Sequence, residues 1–554
     1  MIRKLWQQAI LGQEGYILKK LLQKGKILAV IVALIIAAVY YYVTLPAINI
    51  HAGGFWVFVI VVLAVVLLLY ALKKVRTPYE AKNNPVIKFG AGVILAVVLI
   101  YLAGSILSSP VINAKKYQQL MQPETGNFTE DIEQIKYDQI PLLDKDSAEI
   151  LGNRKMGSMV DMVSQFEVSQ LYSQINYKGR PVRVTPLVYA SPIKWLTNMR
   201  NGIPAYISID MATQDTSLVK LEKGIRYSES EYFNRNIYRH LRFKYPTYIF
   251  DQLSFEIDED GIPYWICPVK KYNIGLFGGQ TIGRVVLCNA VTGECTDYKV
   301  EDCPKWVDRV YPADLLIQLY DYHGTLINGF FNSILGQKGC LNTTDGYNYL
   351  AINDDVWVYT GVTSVSGDRS NVGFVLMNQR TMETKYYEIP GAEEYSAMDS
   401  AEGQVQNLGY RATFPLLLNI SGEPTYFIAL KDNAGLVKKY AMLNIQKYQN
   451  VAIGDTVAEC EKTYLKMIKG SAGVVIDENS KTITGKIRRM AQAVVDGSTH
   501  YYLVLENEDE LIFDVPITDF LDIVRYDVGD TITLAYNPGE PACSVGEIIT
   551  ENED

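Results

Sequence analysis

Hydrophobic residues are concentrated in three charge-free runs before residue 110, at 27–48, 55–72 and 89–107. Each run is close to the roughly 20 residues that a helix needs to cross the hydrocarbon core of a bilayer. Buried helices of a soluble protein are the alternative, but three such runs close together, none with a polar face, argue against it. The first run is long for the core of a signal peptide, and no small-residue cleavage site stands out after it. The pattern therefore predicts three transmembrane helices within 27–109.

The positions of Lys and Arg around these runs predict their orientation. The N-terminal segment 1–26 and the link 73–88 are rich in Lys and Arg, whereas the link 49–54 contains neither. Short loops that carry such an excess stay on the cytoplasmic side of the membrane. We therefore expect a basic amphipathic cytoplasmic segment at 1–26 and an extracytoplasmic chain after about residue 110. This predicts a cell-membrane protein whose first partner is the lipid bilayer.

Beyond the apolar runs, hydrophobic and polar residues alternate over short stretches, and one pattern occurs four times. It consists of an apolar residue, Asn or Asp, two further residues, Thr or Lys, one more residue, and an acidic residue or Gln. The copies lie within 208–221, 287–300, 376–389 and 442–453. Their characteristic positions are Asp210, Thr213, Asp215, Asn289, Thr292, Gly293, Glu294, Asn378, Thr381, Glu383 and Asn444. Asn and Asp favour turns by bonding to nearby backbone, so each copy predicts a hairpin turn.

The flanks of this pattern recur as well, with strand-like stretches on both sides and a helix-like stretch afterwards. We therefore expect four units of roughly three antiparallel strands, each covered by a helix on one face. The predicted segments are a juxtamembrane connector at 110–145 and units at 146–245, 246–331, 332–408 and 409–480. Alternation over several short strands in 481–554 predicts a small β-barrel. The predicted fold class is an α+β membrane protein.

The second copy resembles a known family. In 253–296 a strand, an Asp-Gly turn and an aromatic strand precede "VVLCNAVTGEC", which is similar to the third strand and turn of PepSY domains. Asn289, Ala290, Thr292, Gly293 and Glu294 match, with Asn in place of the family's Asp. The other copies keep less of the pattern. The resemblance implies interaction with a peptide or a peptidase outside the cell and supplies no catalytic residues. The tail at 481–554 resembles an OB-type barrel.

Candidate chemistry is sparse in the sequence. The four His are widely separated and stand in no catalytic or metal-binding motif, so we expect no catalytic residue, metal or cofactor. Seven Cys at irregular spacing do not predict a disulfide scaffold. Cys288 and Cys295 would face each other across the hairpin turn, either as a cross-strand disulfide or as small apolar strand residues. The 52 Lys and Arg against 61 Asp and Glu argue against a nucleic-acid partner.

These features predict a membrane-anchored, non-enzymatic protein of a bacterial cell envelope. Its extracytoplasmic PepSY-like repeats would bind a peptide, an envelope protein or a wall component. An accessory subunit of a membrane transport, secretion or envelope-synthesis complex is the alternative, because three helices exceed what a simple anchor requires.

Overall fold

The computed structural model describes residues 30–132, 140–364, 370–469, 481–495, 498–506, 508–517, 520–539 and 541–549. The basic segment predicted at 1–26 lies outside these ranges. Within them the chain has a mixed α+β fold: apolar helices come first, four antiparallel sheets follow in tandem, and a closed barrel lies near the C-terminus.

Five helices form the N-terminal part. They are α1 (Val30–Thr44), α2 (Gly53–Lys74), α3 (Pro78–Asn83), α4 (Pro85–Leu107) and α5 (Pro110–Gln118). Helices α2 and α4 are long and apolar enough to cross a membrane, and none of their large apolar side chains is buried. The described part of α1 is apolar but shorter than a membrane span. Two of the three predicted spans therefore have the length and composition of membrane helices.

The first sheet and its helices follow a short connector with β1 (Glu124–Thr125) and α6 (Phe128–Asp131). This unit contains α7 (Lys145–Gly157), α8 (Val160–Val163), β2 (Phe166–Val168), β3 (Ser173–Tyr177), β4 (Arg180–Tyr189), α9 (Pro192–Asn198), β5 (Ile203–Asp210), β6 (Thr216–Ile225) and α10 (Ile237–Lys244). The second unit contains β7 (Ser254–Ile257), β8 (Pro263–Ile274), β9 (Gly278–Asn289), β10 (Cys295–Lys299) and α11 (Ala313–Thr325).

The third unit contains β11 (Leu341–Thr343), β12 (Asn348–Ile352), β13 (Asp355–Ser364), β14 (Ser370–Asn371), β15 (Gly373–Asn378), β16 (Thr384–Tyr387), β17 (Gly391–Ala392) and α12 (Glu394–Gln404). The fourth contains β18 (Arg411–Ala412), β19 (Leu416–Ile420), β20 (Glu423–Lys431), β21 (Val437–Asn444), β22 (Val451–Gly454) and α13 (Val457–Lys469).

Each of the four units is built on a meander of four antiparallel strands. The strands pair in the orders β3-β4-β5-β6, β7-β8-β9-β10, β12-β13-β15-β16 and β19-β20-β21-β22. The sequence pattern predicts roughly three strands in each unit. The difference arises because the alternating stretch after each recurring turn pairs with the strand before the turn and becomes a full fourth strand.

Helices and consecutive sheets share their hydrophobic cores. Ile237 and Leu241 of α10 are buried with residues of the first two sheets. Helix α11 lies in a core with the second and third sheets, and α12 and α13 lie in a core that contains the fourth. Each helix and each sheet buries one face in a core that it shares with the neighbouring unit. No unit therefore completes its hydrophobic core alone.

The C-terminal part is a closed five-stranded barrel, which confirms the predicted small β-barrel. Its strands are β23 (Lys481–Val495), β24 (Ser498–Leu505), β25 (Glu508–Pro516), β26 (Thr531–Asn537) and β27 (Cys543–Ile549), in the order β23-β24-β25-β27-β26. The first strand pairs with the second and the fourth, and the third and fifth pair in parallel.

Candidate functional site

The recurring Asn or Asp lies at one structural position in all four units. It is the last residue of the third strand of each four-stranded meander, and the four residues are Asp210, Asn289, Asn378 and Asn444. In each case its side-chain Oδ1 accepts the backbone N–H groups two and three residues later, at N···O distances of 2.8–3.3 Å. This Asx-type bonding closes the turn and satisfies donors that the loop would otherwise leave unpaired.

The Thr and acidic positions of the pattern serve the same turn. The hydroxyls of Thr213, Thr292 and Thr381 accept the N–H two residues on, from Asp215, Glu294 and Glu383 respectively, at 3.2–3.3 Å. Between them the chain turns through a left-handed residue, which is Gln214, Gly293 or Met382 with φ of 66°, 75° or 67°. These polar groups are therefore engaged in local hydrogen bonds of the turn.

The residue after the Asn or Asp explains why the pattern recurs. Its N–H donates to a carbonyl near the start of the second strand of its own sheet at 2.9–3.2 Å, in the pairs Met211–Pro181, Ala290–Pro263, Gln379–Val356 and Ile445–Pro424. Its carbonyl accepts N–H groups from the chain that enters the unit at 2.7–3.1 Å, donated by Leu142, by Arg226 and Tyr227, by Val310 and Tyr311, and by Ala392. The recurring turn is thus the joint that attaches each unit to the preceding chain.

At three of the four turns, the choice between Asn and Asp follows the side chain that it contacts across the sheet. Asn378 Nδ2 donates to Asp355 Oδ2 at 2.8 Å, and Asn444 Nδ2 donates to Glu423 Oε2 at 2.8 Å. Asp210 instead pairs with Arg180, whose Nη1 lies 3.1 Å from Oδ2. The amides of Asn378 and Asn444 therefore face carboxylates, whereas the carboxylate of Asp210 faces a guanidinium.

The two candidate cysteines face each other at the second turn. Cys288 on β9 and Cys295 on β10 are in register, and all seven cysteines are free thiols. Asn289 N donates to Glu294 O at 2.8 Å, so the next pair outward, Cys288 and Cys295, is a non-hydrogen-bonded pair. Side chains approach each other most closely in such pairs. The structure therefore brings the two thiols together as the sequence predicted, without joining them.

His240 of α10 completes this cluster, although no motif in the sequence marks it as a functional residue. Its Nε2 lies 2.8 Å from Gly293 O and 3.5 Å from Cys295 Sγ. Because a carbonyl oxygen can only accept, Nε2 carries a hydrogen. One ring nitrogen of His240 and the sulfur atoms of Cys288 and Cys295 lie within 4.8 Å of one another. Zinc accepts ligands of these types. The bond to Gly293 engages the nitrogen nearest the sulfurs, which favours a thiolate–imidazole pair over a metal centre.

Hydrogen bonding changes the acidity of this cluster. The bonds from Cys288 and then from His240 lower the pKa of the Cys295 thiol to about 5, although burial acts in the opposite direction. The bond to Cys295 raises the pKa of His240. Its hydrogen bond with Cys295 and its burial raise the pKa of Cys288. The contacts with Cys288 and His240 therefore favour the thiolate form at Cys295 over the thiolate form at Cys288.

We expect Cys295 to be the most reactive thiol of the protein. Iodoacetamide at pH 6 should alkylate Cys295 before buried thiols such as Cys267, whose pKa burial raises. In a His240→Gln variant the rate at Cys295 should fall by roughly tenfold at this pH, because the pKa of the thiol rises. Peptide mass spectrometry of time points measures both rates. Equal rates at Cys295 and Cys267 in the native protein would contradict the assignment.

The β8–β9 hairpin carries the second unit onto the apolar helices. The ring of Phe277 at its tip lies 5.0 Å from that of Tyr101 on α4 and 6.2 Å from that of Trp56 on α2. Ser108 Oγ, just beyond α4, accepts the N–H groups of Leu276 and Phe277 at 2.8 and 3.1 Å. The hairpin tip is therefore attached to the ends of both helices by aromatic packing and by hydrogen bonds.

The link between α1 and α2 is attached to the sheet region in the same way. Arg242 Nε donates to Leu45 O and Asn49 Nδ2 donates to Thr247 O, both at 2.9 Å. The link between α2 and α4, which begins after Lys73 and Lys74, lies at the other end of these helices. Since α2 has 22 residues, the two links are separated by about 33 Å.

Comparisons with known proteins add no identification. No family model and no curated protein matches the chain. Among solved structures, the GH32 beta-fructofuranosidase BmSUC1 of Bombyx mori aligns at 10% identity over 71% of this chain and 69% of that chain, with a TM-score of 0.16. A levansucrase of B. megaterium aligns at 10% identity over 76% of this chain and 99% of that chain, with a TM-score of 0.15. TM-scores this low carry no argument about fold or function.

Proposed function

We propose that the chain is a membrane-anchored extracytoplasmic interaction protein of a bacterial cell envelope. Three helices within 27–109 hold it in the bilayer, with the N-terminus in the cytoplasm and the sheets outside. The four PepSY-like units bind a peptide, a protein partner or a wall component, and the OB-like barrel ends the chain. We assign no reaction to it.

The arrangement of the helices relative to the sheets supports this proposal most. The Lys- and Arg-free link between α1 and α2 packs on the first two units, whereas the basic link after α2 lies at the opposite helix ends. The positive-inside bias places that basic link in the cytoplasm. The sheets then lie on the outer side. The regular strand order of the four units supports a tandem-repeat architecture.

Protease accessibility tests the orientation. A C-terminal epitope tag on spheroplasts should be digested by added protease, while a tag placed before residue 1 should be digested only after lysis. Protection of the C-terminal tag in intact spheroplasts would refute the proposed orientation.

Direct titration tests the binding function. The full chain in nanodiscs should retain labelled short peptides or purified wall fragments saturably, and nanodiscs without the protein should not. Absence of saturable retention for both probe classes would exclude the proposed interaction.

The alternative, an accessory subunit of a membrane complex, is favoured by one observation. The hairpin tip at Phe277 and the helix ends at Trp56 and Tyr101 form one packed junction, which a simple tether does not need. Replacing residues 27–109 by one unrelated transmembrane helix separates the two functions. If the chain with the replaced helices keeps its function in cells, the role of interaction protein is supported. If that function is lost while the chain is present at normal abundance, the role of accessory subunit is supported.

A further inference from the structure

A polar cavity of about 320 Å³ lies where the four units meet. Its wall includes Arg183 of the first unit, Arg309 from the end of the second, Tyr349 of the third and Phe414 at the start of the fourth. The cavity is a product of the tandem arrangement, because no single unit supplies its wall.

Arg183 is the unusual residue of this cavity. It is 5% exposed, and its one hydrogen bond within the described chain joins Nη2 to Gln174 Oε1 at 3.4 Å. Its Nε has no partner, and it forms no ion pair with a carboxylate of the described residues. Burial lowers its pKa, yet a guanidinium remains charged at neutral pH. A buried guanidinium without a direct ion-pair partner is costly, and Asp144 and Asp146 act on it only from beyond ion-pair distance, so its retention points to a ligand that completes it.

Three other residues of the cavity wall carry unpartnered buried groups. Gln174, Tyr172 and Arg309 line the same cavity as Arg183, and Gln174 Nε2, Tyr172 Oη and Arg309 Nε have no hydrogen-bond partner. Gln174 and Tyr172 are 6% and 8% exposed. Amide nitrogens and guanidinium nitrogens only donate, and a phenol can donate. The unsatisfied set therefore calls for an acceptor, and the two guanidiniums make a negatively charged acceptor the most favourable one.

The carboxylates of the cavity do not meet this requirement. Asp144 is engaged by Lys431 Nζ at 2.5 Å and by Ser147 N at 2.9 Å. Asp314 accepts the hydroxyl of Tyr347 at 3.4 Å. Both acids thus have partners of their own, and neither is within ion-pair distance of Arg183.

The volume of the cavity and the other residues of its wall limit the class of ligand that it can bind. A volume of about 320 Å³ is at the small end of ligand cavities and suits a molecule of dipeptide size. Tyr347, Tyr349 and Phe414 give it an aromatic side, which suits an apolar or aromatic body on the ligand.

We propose that this cavity binds a small organic carboxylate of dipeptide size, with the carboxylate on the guanidinium of Arg183 and the apolar body against Tyr349 and Phe414. The proposal rests on the peptide-binding function proposed above and places its recognition site between the units. The hydroxyl of Tyr172 and the amide of Gln174 orient the carboxylate by donating to it.

Thermal unfolding of the full chain in nanodiscs tests the site with three probes. Alanyl-tyrosine should raise Tm in a saturable manner, while its C-terminal amide and inorganic phosphate should not. In an Arg183→Met variant the response to alanyl-tyrosine should be lost, and Tm without ligand should equal or exceed that of the unmodified protein, since a buried unpaired charge is removed. Arg154→Met, which removes an exposed Arg of the same unit, is the matched control and should leave the response intact.

A second variant keeps the test decisive if Arg183→Met does not fold. Tyr172→Phe removes a hydroxyl without a partner and should preserve Tm, while weakening alanyl-tyrosine binding by roughly tenfold. An equal response to the amide, a response to phosphate alone, or an unchanged response in Arg183→Met would each overturn the proposal. If no dipeptide binds but longer peptides or wall fragments are still retained by the nanodiscs, this cavity site is refuted and the proposed function stands.

Discussion

An Asn378→Asp variant is expected to lose roughly 2–4 kcal/mol of unfolding free energy, although it changes one atom of the side chain. Asn378 is 1% exposed, and its Nδ2 donates to the Asp355 carboxylate at 2.8 Å. The substitution removes this donor and buries a second negative charge beside the first. Arg380 already makes two bonds to Asp355, at 2.6 and 2.7 Å, so it is poorly placed to neutralise both.

The first and fourth units supply the controls for this prediction. Asp210→Asn weakens only the pair with Arg180, whose side chain is half exposed, and should cost less than about 1 kcal/mol. Asn444→Asp should destabilise through Glu423, and adding Glu423→Arg should restore stability by recreating the pair of the first unit. Thermal unfolding of the purified variants measures all four. Equal losses at 210 and 378, or no rescue at 444, would contradict the charge-pairing rule.

A Gly293→Ala variant is the second change with a large expected effect, a loss of roughly 2–3 kcal/mol. Gly293 has φ of 75°, and a Cβ there would overlap the ring of Tyr227. That ring has little room to move away, because it packs against His240 with 4.5 Å between ring centroids, and the Tyr227 backbone is held by a bond from its N–H to Ala290 O at 2.9 Å. Thermal unfolding measures the loss of unfolding free energy. The rate at which iodoacetamide alkylates Cys295 should change as well.

Three glycine or turn positions separate the two causes of this loss. Gly422 has φ of 81° with open space around its Cβ direction, so Gly422→Ala should show the backbone cost alone, about 1 kcal/mol. Gln214→Gly and Met382→Gly, at the equivalent left-handed positions, should change stability by less than about 1 kcal/mol. Losses as large at Gly422 as at Gly293 would remove the role assigned to the Tyr227 ring.

The local features of the chain were predictable because they depend on neighbours in sequence. Asn289, Thr292 and Gly293 specify a turn by themselves, and alternation on both sides specifies the strands that the turn joins. The sequence predicts too few strands in each unit. The stretch after the turn is recognised as a fourth strand only once its pairing with the strand before the turn is known. The long apolar runs identified α2 and α4 for the same local reason.

The chemistry was not predictable, because it depends on residues that are far apart in the chain. His240 reaches Cys295 only because α10 of the first unit packs over the second sheet. Phe277 meets Tyr101 only because a long hairpin extends to the helix ends. Neither contact leaves a spacing pattern in the sequence.

The sequence by itself determined the apolar helices, the recurring turn, the alternating strands and the final barrel, each through propensity and periodicity over fewer than about 20 residues. Only the tertiary structure decided that the turn is a joint between units, that Cys295 has an activating partner, and that Arg183 lines a cavity without a direct ion-pair partner. The physical reason is burial. Hydrogen bonds and charges acquire their energies from the surroundings that packing gives them, and packing joins residues whose distance along the chain carries no signal.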